Sequence, residues 1–247
     1  MDLEWTSPVA IGGVGGSGTR LVASLLIEMG YAMGTRLNDS LDDLDFTDTF
    51  VDAAVPWLPG REFDERVHRY LCSAGTRLPL PSAGDPLDAT LWGWKEPNTH
   101  VFLERLVARI PGMRYIHVMR NGLDMAYSSN LNQLRRWGER VLGRSVRESP
   151  TDALAYWVRV HRRVLSTGEL MGSRFMMLNY DQMCHQPSDG VKQLLGFLGI
   201  NPSSESLSSL CALVDPPSSL GRHAAHQTDD LDPEDVEFVK SLGFTVR

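Results

Sequence analysis

The sequence predicts an α/β fold, a central parallel sheet covered by helices, and three observations carry that expectation. Short apolar runs alternate with longer stretches of helical spacing. The connections between them are short. A glycine-rich or charged cluster closes each apolar run, where open parallel sheets bind their ligands. A chain of 247 residues suits one such domain, 1–247, and 42% hydrophobic residues are enough for a core.

Val9-Ala10-Ile11-Gly12-Gly13-Val14 reads as the first buried strand. It enters the turn Gly15-Gly16-Ser17-Gly18. A helix follows from Thr19 to about Met29, with Leu21, Leu25, Leu26 and Met29 at helical spacing and Gly30 closing it. Residues 38–52 hold six aspartates and read as an irregular acidic stretch. A helical segment is expected around Phe63–Cys72, and a Pro/Gly/Ser loop over Pro79–Pro86. Thr90–Trp94 reads as a second strand ending at Lys95. Pro97 opens a helix with Val101, Leu103, Leu106 and Ile110 on its apolar face.

Met113–Val118 reads as a third strand, ending at Met119-Arg120, with a short helix starting near Asp124. Arg135–Arg147 reads as a basic loop, and Asp152–Leu165 as a helix. Phe175–Leu178 is the fourth strand, ending at Tyr180. Helices near Val191–Leu198 and Leu207–Val214, and one after Asp232, complete the chain. Four polar clusters thus stand at strand ends: Gly15–Arg20, Lys95-Glu96, Arg120 and Tyr180-Asp181.

The net charge of −7 argues against a nucleic-acid partner, which needs a broad basic surface. Cys72, Cys184 and Cys211 are far apart and odd in number. They fit a reducing, cytoplasmic setting better than a disulfide framework or a zinc site. Met1–Trp5 is acidic and lacks the apolar core of a signal peptide, and no apolar run has the length of a membrane span.

The turn at Gly15–Gly18 is a phosphate cradle on physical grounds. Glycines let backbone N–H groups point at one spot, and a helix N-terminus adds a partial positive charge. Ser17, Thr19 and Arg20 add side-chain donors. The alternative is a tight strand-to-helix turn with no ligand. The nucleoside-triphosphate loop GxxxxGK[ST] matches only in its glycines, Gly13 and Gly18. Thr19 stands where its lysine belongs and Arg20 where its metal-binding hydroxyl belongs. Gly13–Gly18 also satisfies the dinucleotide pattern GxGxxG, but Tyr31–Arg36 makes a poor second strand for that fold. A third reading needs a second anion site. Arg120, with Ser128 eight residues on, offers an arginine and a hydroxyl suited to a terminal phosphate.

These residues resemble a known family. Gly15-Gly16-Ser17-Gly18-Thr19-Arg20 resembles the 5′-phosphosulfate loop of the sulfotransferase superfamily, and its Gly-Thr-Arg ending is most similar to the heparan sulfate sulfotransferases. Arg120–Ser128 resembles the 3′-phosphate motif, with the same arginine-to-serine spacing. Lys95-Glu96-Pro97 resembles the Lys-Asp-Pro of tyrosylprotein sulfotransferases. Asn179–Met183 resembles a segment near the adenine, and Gly221-Arg222 a late basic element that closes over the nucleotide.

The resemblance implies a P-loop-like three-layer fold and transfer of a sulfuryl group from 3′-phosphoadenosine-5′-phosphosulfate (PAPS) to a hydroxyl of a glycan or small molecule. It implies adenosine 3′,5′-bisphosphate as product and no metal. It assigns Gly15, Gly16, Ser17, Gly18, Thr19 and Arg20 to the 5′ end of the donor, Arg120 and Ser128 to its 3′-phosphate, Tyr180 to the adenine and Arg222 to the cover. Residues 38–89 and 130–150 are expected as acceptor-side insertions. One departure stands out: many members carry Lys or Arg where this chain has Gly16, so Lys95 is expected to supply that charge, a structural ion pair being its alternative. The base is expected at Asp42 or Asp43, with His100 and His117 as alternatives. Trp57, Trp92, Trp94 and Trp137 are candidates for a stacking surface, or for core. Two other classes remain, a metal-dependent phosphotransferase and a nucleotide-binding module without catalysis.

Overall fold

The computed structural model describes residues 7–52, 58–77 and 91–246. The expected loop at Pro79–Pro86, Thr90 and Trp57 lie outside them. Four strands form one parallel sheet in the order β2-β1-β3-β4: β1 Val9–Gly13, β2 Gly93–Lys95, β3 Arg114–Met119 and β4 Phe175–Asn179. The parallel α/β expectation therefore holds. β1 pairs with β2 in the register Val9↔Gly93, Ala10↔Trp94 and Ile11↔Lys95. Every residue of β1 and β2 is buried, as expected of strands covered on both faces.

The chain divides into two compact units. The first comprises residues up to Gly13, Thr19–His117 and Met171–Met176. In it α1 (Thr19–Glu28) buries Val22, Ala23, Leu25 and Leu26 and packs on β1 and β2. The short α2 (Leu44–Phe46) runs into a π-helical turn, Thr47–Val51. Next come α3 (Gly60–Arg77) and α4 (Thr99–Arg109), which pack together, α4 also lying on β1. Phe46 stacks on Trp94 with ring centroids 5.6 Å apart, and edge-to-face on Tyr70 and Phe102. Such pairs contribute about 0.5–1.5 kcal/mol each beyond the area they bury. β2 is shorter than the expected Thr90–Trp94 and takes in Lys95 itself, and the aromatic cluster explains the larger disagreement in this unit. The acidic stretch is partly helical because Phe46, Phe50 and Val51 drive its one apolar face into the core. Trp92 and Trp94 are core residues as well.

The second unit comprises Val14–Gly18, Val118–Leu170 and the chain from Met177. Here α5 (Gly122–Ala126) is capped by Asn121, whose side chain accepts from the Leu123 N–H. Then follow α6 (Asn132–Leu142) and α7 (Pro150–Met171). The expected loop at Arg135–Arg147 is mostly the helix α6. Leu134 and Trp137 lie three residues apart and are buried, while Arg135, Arg136 and Arg140 cover the outer face. α8 (Tyr180–His185) begins at once after β4, with Asn179 as its cap. α9 (Pro187–Leu198), α10 (Ser204–Ala212) and α11 (Pro233–Ser241) follow, and α9 packs against both α8 and α10. Among the described residues no helix is long and apolar enough to cross a membrane.

Candidate functional site

β1 ends at Gly13, the chain turns through Val14–Gly18, and α1 begins at Thr19. The Ser17 N–H donates to the Val14 carbonyl at 3.0 Å. Gly16 and Gly18 have φ of +92° and +95°, a region that L side chains rarely adopt. A Cβ on Gly18 would also lie 2.2 Å from the Tyr180 ring, so the expected adenine-side tyrosine sits directly on the turn. Met125 and Asn130 border Gly16, and Asn130 also borders Gly15. Ser17 is 1% exposed and its Oγ has no hydrogen-bond partner.

Arg120 follows β3 and is buried. One Nη donates to the Gly16 carbonyl at 3.5 Å, and the other to the Ser219 carbonyl and, at 3.1 Å, to Ser219 Oγ. Its Nε has no partner. Leaving a buried donor unsatisfied costs about 1–3 kcal/mol. Two such donors beside one glycine turn mark a place built to receive acceptor oxygens. Ser128 stands just past α5, and its hydroxyl accepts from the Asn130 N–H at 3.1 Å, so it belongs to the segment that borders the turn. Arg222 donates from Nε to the same Ser219 carbonyl at 3.2 Å. Burial and the neighbouring Arg120 hold its guanidinium below the usual arginine range.

The residue that organises this unit was read from sequence only as a helix start. Asp124 is fully buried and accepts from the Gly221 N–H at 2.7 Å, the His223 N–H at 3.0 Å and His223 Nδ1 at 2.7 Å. Burial pushes its carboxyl up, but these bonds outweigh it and hold the pKa below the ordinary aspartate value. Asp124 thereby ties the 219–223 segment to α5. Asp181 accepts from the Asn121 N–H at 3.0 Å, and its pKa is raised by burial.

In the first unit, Lys95 closes β2 and its side chain is 2% exposed. Its Nζ donates to the Ser40 carbonyl at 2.7 Å and to Asp42 Oδ1. Burial lowers its pKa, Asp42 opposes that, and Arg20 nearby lowers it further. The two candidate aspartates differ. Asp43 is buried, caps α2 by accepting from the Asp45 and Phe46 N–H groups, and accepts from Tyr70 Oη at 2.8 Å. Asp42 keeps a side chain 21% exposed beside Lys95. His100 and His117 are both buried, and His117 Nδ1 shares a 2.9 Å hydrogen bond with Tyr115 Oη. Trp137, in the second unit, is buried too.

Glu96 is buried and accepts from the Asn98 backbone and side-chain amides at 2.5 and 2.8 Å. Burial, with Asp42 adding to it, raises its pKa to about 7 from the ordinary glutamate value of 4.5. The folded chain therefore holds this proton more tightly than the unfolded chain. The stability it contributes is full below the unfolded value and is lost as pH rises through the folded one. The difference is worth roughly 3 kcal/mol. Glu96→Gln should remove it: in urea unfolding, the stability gap between variant and parent should shift in the variant's favour by about that amount between about pH 4 and about pH 8. A gap that does not change with pH would show that Glu96 is ionised at neutrality.

Residues 8–204 match the family model described as the sulfotransferase family. Sulfotransferase STF9 from Mycobacterium avium is similar with a TM-score of 0.63 at 13% identity, over 99% of this chain and 79% of that one. The sulfotransferase domain of the Synechococcus PCC 7002 olefin synthase gives 0.58 at 15%, over 100% and 98%. The sulfotransferase domain from the curacin biosynthetic pathway gives 0.57 at 15%, over 98% and 99%. At these identities the structural likeness is one of fold. No curated protein matches the chain.

Proposed function

This chain belongs to the sulfotransferase family, and from that premise we propose that it moves a sulfuryl group from PAPS to the hydroxyl of a carbohydrate or small-molecule alcohol. The observation that supports the donor most is the pair of partnerless buried donors, Ser17 Oγ and Arg120 Nε, beside the Gly15–Gly18 turn. When bound, PAPS supplies the electrophilic sulfur and a nucleotide that can depart.

The chain's residues take the following parts. Backbone N–H groups of Gly15, Gly16, Ser17 and Gly18, with Thr19 and Arg20, hold the 5′ end. Arg120 and Ser128 hold the 3′-phosphate, Tyr180 flanks the adenine, and Arg222 covers the nucleotide on the strap that Asp124 ties down. Lys95 neutralises the charge that develops on the oxygen leaving sulfur. Asp42, the more exposed of the two aspartates, takes the proton of the acceptor hydroxyl as that oxygen bonds to sulfur. Asp43 shapes the turn by capping α2. Residues 38–89 and 130–150 are assigned to the acceptor side. A reducing, cytoplasmic setting suits the three free cysteines.

The test is transfer of labelled sulfate from PAPS to a panel of alcohols and glycans, with a chelator present. Label should move without added metal, and Asp42→Asn should slow it more than Asp43→Asn. Transfer that requires Mg²⁺ and a nucleoside triphosphate would make the chain a phosphotransferase. Tight binding of adenosine 3′,5′-bisphosphate with no transfer to any acceptor would make it a binding module.

A further inference from the structure

We propose that Asn38 is the positioning residue of the Lys95–Asp42 pair, holding the Asp42 carboxylate by one oxygen while Lys95 takes the other. The inference rests on the catalytic reading of that pair. Asn38 Nδ2 donates to Asp42 Oδ2 at 3.0 Å, and Lys95 Nζ donates to Asp42 Oδ1. With both oxygens held from different sides, the carboxylate cannot rotate freely about its Cβ–Cγ bond.

The same side chain builds the turn that carries Asp42. Asn38 Oδ1 accepts from the Ser40 and Asp42 N–H groups, both at 2.9 Å. The Asn38 carbonyl accepts from the Leu41 N–H at 2.8 Å, and the Asn38 N–H donates to the Asp42 carbonyl at 3.2 Å. This is a side chain standing in for backbone in a tight turn. The turn holds Leu41 at φ +63°, the one non-glycine residue with positive φ among the described residues. Leucine adopts that conformation only where its surroundings impose it. Here the imposing groups are Asn38 on one side and Lys95, gripping Ser40 and Asp42, on the other.

Two variants separate holding the carboxylate from holding the turn. Asn38→Asp keeps the acceptor oxygen that organises the turn but replaces the amide donor with a carboxylate oxygen facing Asp42. Asn38→Ala removes both functions. The groups that face Lys95 are Asp42, Glu96 and Arg20. Asp42 opposes the effect of burial, so releasing it should lower the Lys95 pKa further.

The chain has three lysines, Lys95, Lys192 and Lys240, so ¹⁵N-lysine labelling gives a readily assigned spectrum. In Asn38→Ala the Lys95 ammonium should titrate lower than in the parent, because the Asp42 carboxylate that opposes the effect of burial is no longer held against it. In single-turnover transfer, both variants should be slower by roughly tenfold to a hundredfold. An unshifted Lys95 titration in Asn38→Ala would overturn the proposal. So would Asn38→Asp running at the parent rate, since the turn alone would then suffice. The titration needs neither donor nor acceptor, so it decides the positioning role even if the chain transfers no sulfate.

Discussion

Lys95→Ala should lower the single-turnover rate of sulfuryl transfer about 10²–10³-fold, the usual cost of removing one positioned donor from a developing charge. Donor affinity should change much less, because the charge on the leaving oxygen grows in the transition state and is small in the bound donor. The structure sharpens the reason. Lys95 is an ammonium on a side chain 2% exposed, in contact with Asp42 and the Ser40 carbonyl. Burial pulls its pKa down, and Asp42 counters that pull. Removing it leaves Asp42 without its counter-ion and the 38–42 turn without one of its two anchors. Lys95→Arg should restore only part of the rate, since a planar fork does not replace a compact ammonium.

A lysine placed back at Gly16 should not rescue Lys95→Ala. There is room beside Gly16, but its φ of +92° strains any L side chain placed there. An unchanged single-turnover rate in Lys95→Ala would make the Lys95–Asp42 pair structural and leave Arg20 as the cation to consider.

The second large effect is expected at Arg120. Arg120→Ala should weaken binding of adenosine 3′,5′-bisphosphate by about ten- to a hundredfold, the worth of an ionic hydrogen bond or somewhat more. The parent guanidinium is held at Gly16 and Ser219 and keeps Nε free. It is therefore oriented before any ligand arrives, and the variant loses that orientation along with the charge. The fold should survive, because Asp124 loses only its 3.5 Å contact with Arg120 and keeps its shorter bonds to Gly221 and His223. Circular dichroism checks the fold, and calorimetry reads the affinity. Parent-like affinity in the variant would remove Arg120 from the site.

Much of this was legible in the sequence. β1 and β3 lie within a residue or so of their apolar runs because strands buried on both faces carry continuous apolar residues, and β4, whose burial alternates, is marked by its apolar run all the same. The Gly15–Gly18 turn and Arg120 announced themselves by residue type at strand ends. α6 was hidden because its arginines dominate the composition, although Leu134 and Trp137 carry the helical spacing. The acidic stretch misled for a different reason. Its aspartates look alike in sequence, yet Asp42 pairs with Lys95, Asp43 caps α2, and Asp45 and Asp48 both bind Arg36. The cap at Asp43 is local, but the pairing of Asp42 depends on a lysine far along the chain. Asp124 is the extreme case, since its partners lie nearly a hundred residues on and no local pattern signals them. Asn38 gave no signal either, because Asx turns are common and what distinguishes this one is the buried lysine opposite.

The proposed function requires a nucleotide held at both ends, by a 5′ site at the glycine turn and a 3′ site at Arg120. Calorimetric titration with adenosine 3′,5′-bisphosphate and with adenosine 5′-monophosphate tests it most directly. The bisphosphate should bind at least about tenfold more tightly, the difference expected from one ionic contact, and Arg120→Ala should erase most of that preference. Equal affinities for the two nucleotides in the parent protein would contradict the 3′-phosphate site, and with it the assignment of PAPS as donor.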